Sequence, residues 1–237
     1  MNLMDKIGLF GPADAAALVL LFPAWVLTGW MIEHPWKNRP AMSSLMAQYR
    51  REWMRQLVTR QPRIFDSQIL ATLRQGASFF ASATMIAIGG VFALLGNAER
   101  LVGVATDLTL DAAPAVVWEA KILAILIFLA NAFLKFVWSH RLFGYCAVIM
   151  AAVPNDPDDP LAHPRAAKAA DINITATRGF NRGLRSLYFA LAAAAWLLGA
   201  YVLIGATLFT VLVLLRREFA SQSRVALCRD DDAMGHL

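Results

Sequence analysis

The sequence predicts an all-α, polytopic integral membrane protein: four transmembrane helices with helical extensions and an amphipathic interfacial helix on the cytoplasmic side. Three observations carry this. Of 237 residues, 58% are apolar and only 16% charged, against about 45–50% and about 25% in soluble proteins. The charges cluster between long apolar runs instead of spreading over a surface. Lysine and arginine are unevenly shared among the connections, which is the orientation signal of membrane loops.

The expected organisation is one membrane domain over 1–215 and a polar tail over 216–237, with spans near 13–32, 75–97, 116–137 and 186–212. Backbone polar groups must be paired within a span, and about 20 helical residues cross the hydrocarbon. Ala15 to Ile32 is uncharged, with Trp25, Trp30 and Trp36 toward its end at headgroup level. Its flank lacks a small-residue cleavage site, so it reads as a retained span. Gln75 to Ala98 is uncharged and rich in small residues; Ala77/Ala81 and Ser78/Ser82 are small-xxx-small pairs that let helices approach closely. A flexed gate at Gly89-Gly90 is the functional alternative to plain packing there.

The third apolar stretch runs from Val116 to Val153. At 1.5 Å per residue it reaches about 57 Å, too long for one crossing. Ser139, His140 and Arg141 interrupt it, so the expectation is a crossing followed by an extension over about 138–153. Pro154, Pro157 and Pro160 end that extension. Asp156, Asp158 and Asp159 superficially suggest a calcium loop, but the glycine and glutamate of such a loop are missing. A second extension, about 164–185, then leads into the fourth apolar stretch, Ser186 to Leu215.

The connection from Glu33 to Arg74 holds eight basic and three acidic residues, and that from Glu99 to Lys121 two basic and four acidic. The positive-inside rule therefore puts the N-terminus outside and the first connection in the cytoplasm. Four crossings would leave the C-terminal tail outside, in conflict with Arg216 and Arg217 at its start. The location implied is a cell membrane of the bacterial inner-membrane type.

Candidate functional residues lie on the cytoplasmic side. Leu45, Tyr49, Trp53 and Leu57 share one face over about 43–60, while Arg50, Arg51 and Arg55 populate the others. Such a helix suits a headgroup plane, its arginines near anionic lipid phosphates. Arg178, Arg182 and Arg185 recur at i, i+4 and i+7, with Asn181 beside them; they form either a cationic vestibule or an orientation stripe. His140 completes the set of anion- or headgroup-binding candidates. No metal-ligand spacing, cofactor motif, nucleic-acid module or catalytic signature is present, so no cofactor is expected and an enzyme using His140 or Asp171 is the weakest class.

Several strings together, Tyr49-Arg-Arg-Glu-Trp53, Gln68 to Arg74, Lys121 to Phe128 followed by Ser139-His140, and Arg178 to Arg185 followed by Tyr188-Phe-Ala, resemble a family of small membrane proteins catalogued as domain of unknown function five-nine-nine. The resemblance covers about residues 12 to 215. It implies an all-helical membrane protein and no assigned activity. The expected function is a homo-oligomeric membrane module that binds or conducts a small anion, with the bilayer and anionic headgroups as partners. The alternative is a non-catalytic accessory or scaffold subunit of a larger membrane complex.

Overall fold

A computed structural model describes residues 10–35, 39–97 and 114–228. Among these every regular element is helical. Helix α1, Pro12–Glu33, starts with proline at its first position, where the missing N–H costs nothing, and the Asp14 carboxylate accepts the Gly11 N–H at 3.2 Å. Trp25 and Trp30 lie in this helix; Trp36, the third expected anchor, falls outside the described residues.

Helix α2 is Met42–Thr59 and α3 is Ile64–Leu95, which begins eleven residues before the expected span at 75. Helix α4, Ala115–Ala151, continues through Ser139, His140 and Arg141 without a break. Helix α5, Ala162–Ala194, gives way to a 3-10 turn, Ala195–Leu198, and then to α6, Ala200–Phe219, and α7, Gln222–Leu227. Among the described residues, four helical stretches are long and apolar enough to cross a membrane: Pro12–Glu33, Ile64–Leu95, Ala115–Ala151 and Ala200–Leu227.

The fourth of these corrects the expected span at 186–212. The apolar run from Ser186 to Leu215 is two helices, because Gly199 takes φ 129° and ψ 162°. That conformation is essentially closed to residues with a Cβ. Hydropathy cannot register such a break, since both flanks are equally apolar.

The helices divide into two compact units where one domain over 1–215 is expected. The first comprises Met1–Leu27, Ser78–Val137 and Asn181–Val211. Its centre is the fully buried Phe128, stacked on Phe22 at 5.4 Å and Phe189 at 6.2 Å and met edge-on by Trp25 at 5.3 Å. Each such pair adds about 0.5–1.5 kcal/mol beyond area burial. Phe136 stacks on Phe80 and lies against Gly183, where a Cβ would stand 2.7 Å from the ring. Trp196 donates its indole N–H to Asp14 at 2.6 Å, and the Lys121 ammonium lies 5.0 Å from the Trp118 ring centre. Within this unit Asn131 donates to the Ser186 hydroxyl at 2.8 Å, which satisfies polar groups that hydrocarbon would leave unpaired.

The second unit comprises Thr28–Ala77, Trp138–Phe180 and Leu212–Leu237. Its frame is an antiparallel pairing of the end of α4 with the start of α5. Ser139, Phe143, Cys146, Met150 and Val153 are all buried, as are Ala162, Ala166, Ala169, Asn173 and Ala176. Both series step by alternate fours and threes, the spacing of knobs-into-holes seams. Alanine on the α5 side lets the backbones approach, and three polar contacts fix the register. Ser139 donates to the Ala176 carbonyl at 2.7 Å, Cys146 to the Ala169 carbonyl at 3.4 Å, and Asn173 to the Cys146 sulfur at 3.6 Å.

Helix α2 completes this core with Met54, Leu57 and Val58, all fully buried. The helix is amphipathic as expected, but protein covers the C-terminal half of its apolar face. Between α4 and α5 the aspartates serve the turn: Asp156 accepts the N–H of Asp158 and Asp159 that of Leu161. Arg63 donates to the carbonyls of Val153 and Pro154, and Arg165 to that of Ala152, all at 2.7 Å. Cations at the last carbonyls of α4 offset the negative end of its dipole.

Candidate anion-binding groove

Arg51 and Arg55 sit one turn apart on the polar side of α2, both exposed. Facing them on α5 are His163, Ala167, Ala170 and Asp171. These six side chains line a half-open groove of about 340 Å³ within the second unit. Its floor is alanine, Ala167 and Ala170 standing next to the α5 seam; its charged walls come from the faces of α2 and α5 that meet solvent. Arg51 and Asp171 approach to 3.9 Å, beyond hydrogen-bond reach, with both side chains more than half exposed. Arg55 pairs with Glu52, one turn back on α2.

The expected site residues separate into distinct environments. Arg51 and Arg55 come together in the groove. Arg50 leaves the set: it turns inward, donates to the Asn173 side chain, and so joins the polar contacts of the α4–α5 seam. Burial pushes its guanidinium below the ordinary arginine range. That cost is borne by the core, and Arg50 holds helices together instead of meeting a headgroup.

His140 is half-buried beside Arg74, its Nδ1 3.4 Å from the Arg74 carbonyl oxygen and its Nε2 3.5 Å from the guanidinium. The row on α5 is divided. Arg178, in the second unit, and Arg182, in the first, are exposed; Asn181 is half-buried; Arg185 is only 8% exposed. Neither a lined vestibule nor a uniform outward stripe describes all three arginines.

Sequence reasoning passed over two residues. His163 stands alone in the sequence, yet it lies two turns before Asp171 on one face of α5. That spacing was the available signal. Asp66 is fully buried, accepting the Trp53 indole N–H at 2.6 Å and pairing with Arg60. This arrangement ties the start of α3 to α2. Among the described residues no group of three or more histidine, cysteine or acidic side chains could hold a metal.

A family model described as "Protein of unknown function, DUF599" matches residues 16–223. Comparison with curated proteins and with solved structures finds no match.

Proposed function

The chain belongs to the DUF599 family, and from that premise we propose that it is a non-catalytic membrane module whose cytoplasmic groove binds a phosphate-type anion. The observation that carries this reading is the convergence of Arg51, Arg55 and His163 from two helices on one open groove. Guanidinium groups bind phosphate oxygens through paired N–H donors, which is why arginine is favoured for this anion. Binding, not conduction, is the supported form of anion handling, since the groove lies wholly in the second unit.

The orientation proposed is N-terminus outside with the C-terminal end of α6 in the cytoplasm. The Glu218 carboxylate accepts the Ser43 N–H at 3.2 Å, and Arg224 donates to the Pro40 carbonyl at 3.0 Å. Arg216, Arg217 and Arg224 thereby share a side with the basic first connection, as the positive-inside rule requires. An odd number of passes follows. Beside the four longer apolar helices, the extra one is assigned to the stretch from Asn181 through the 3-10 turn to Leu198, eighteen residues within the first unit, close to the length a crossing needs.

A second reading, assembly with further copies or with an accessory partner, is favoured by α3. Ser82, Gly89 and Gly90 are exposed there, and a Cβ built at either glycine meets nothing within 4 Å. Small residues on a membrane helix with no internal neighbour suit a close helix–helix contact.

The test of the first reading is calorimetric titration of inorganic phosphate into the full-length protein held in nanodiscs. Saturable binding that Arg51→Ala with Arg55→Ala removes is expected. Equal binding by the double variant, or none by the parent, contradicts it.

A further inference from the structure

The groove carries both signs of charge, and this points to a narrower ligand than a simple anion. Arg51, Arg55 and His163 supply donors; Asp171, in the same wall, supplies an acceptor. We infer that the groove takes a zwitterionic amino-phosphate, a phosphodiester or phosphomonoester bearing a primary ammonium, with the phosphate on Arg51, Arg55 and His163 and the ammonium on Asp171. This rests on the anion-binding reading above.

Three features support the inference. The Asp171 carboxylate repels a simple phosphate held on the arginines, whereas an ammonium at that end of the ligand is attracted to it. The Arg51–Asp171 separation of 3.9 Å is too long for a hydrogen bond, and both groups are open to water. Exposed pairs of this kind contribute little, so a ligand that inserts between them and satisfies each partner displaces a weak contact. The volume, about 340 Å³, falls at the lower end of small-ligand sites and suits a headgroup-sized molecule, not an acyl chain. Ala167 and Ala170 put no polar side chain in the floor, and the Glu52 carboxylate, outside the lining, is engaged by Arg55.

A primary ammonium has three N–H donors for a carboxylate, whereas a quaternary one has none. The groove therefore discriminates between headgroups that share a phosphate and a charge. The same chemistry occurs in a lipid headgroup and in a soluble metabolite, and the experiment separates them.

Full-length protein in nanodiscs of phosphatidylcholine alone is titrated with phosphoethanolamine, phosphocholine and inorganic phosphate. The expected result is binding of phosphoethanolamine about fivefold tighter than of the other two. Asp171→Asn removes that preference while leaving phosphate binding in place, and Arg51→Ala with Arg55→Ala abolishes all three. Arg141→Ala, a change to an exposed arginine outside the groove, leaves the affinities as they were. In a parallel arm, protein extracted from mixed phosphatidylethanolamine and phosphatidylcholine membranes is examined by native mass spectrometry. Retention of phosphatidylethanolamine, lost in Asp171→Asn, assigns the lipid as the source; a preference confined to the soluble compound assigns the metabolite. Equal binding of the three soluble probes with no selective lipid retention overturns the zwitterion inference and leaves the anion groove standing. Absence of any phosphate binding overturns both.

Discussion

The Glu218 carboxylate accepts the backbone N–H of Ser43 at 3.2 Å, joining the end of α6 to the start of α2 across 175 positions of sequence. Helix α7, beyond it, sends Arg224 back to the Pro40 carbonyl. Two hydrogen bonds thus place the chain's last described helix beside its first basic connection.

This contact makes the side of Cys228 measurable. Cys228 is exposed and Cys146 buried, so a thiol reagent reports on one position. A membrane-impermeant maleimide is expected to label the protein in inverted membrane vesicles and not in intact cells. Labelling in intact cells would place the tail outside.

Gly199→Ala tests the break between α5 and α6. With φ at 129° the glycine has a backbone that alanine adopts only under strain, and the substitution is expected to cost about 1–3 kcal/mol. No Cβ contact within 4 Å contributes to that cost, so the loss reports the backbone alone. A thermal shift assay in detergent reads it; an unchanged melting temperature would contradict the φ.

Gly183→Ala probes a different glycine constraint. Here a Cβ would lie 2.7 Å from Cε1 of Phe136, whose ring is fully buried and already stacked on Phe80. Overpacking of this kind is expected to destabilise by about 1–3 kcal/mol. Adding Phe136→Leu to Gly183→Ala recovers part of the loss if the clash is the cause, and a strictly additive double variant would rule that out.

Asp66→Ala removes the acceptor shared by Trp53 and Arg60. The carboxylate is fully buried and Arg60 keeps about a third of its exposure, so the cost falls near the low end for a broken buried pair, about 3 kcal/mol. Urea unfolding of the detergent-solubilised protein, followed by tryptophan fluorescence, gives the value. A change within experimental error would mean that the pair does not hold α3 to α2.

Much of the architecture was legible in the residues. The run from Ala15 to Ile32 and that from Gln75 to Ala98 announce helices for hydrocarbon, and the proline cluster after Val153 announces the end of α4. The break at Gly199 was not legible, because an apolar run has no polar residue to mark where its helix is interrupted. Arg50 misled for a related reason. Its position among Arg51 and Arg55 reads as one basic surface, yet successive residues on a helix point about 100° apart, and Asn173 lies 123 positions away in sequence. His163 went unread because its spacing to Asp171 gains meaning only beside Arg51 and Arg55, which sit on another helix. Sequence periodicity reports which face of a helix is apolar; it does not report what covers that face.

The groove between α2 and α5 is most directly tested by an experimental structure of the protein in lipid with phosphate present. The expected result is an oxyanion held jointly by the guanidinium groups of Arg51 and Arg55 and the His163 ring. An empty groove, with phosphate bound elsewhere on the protein, would contradict it.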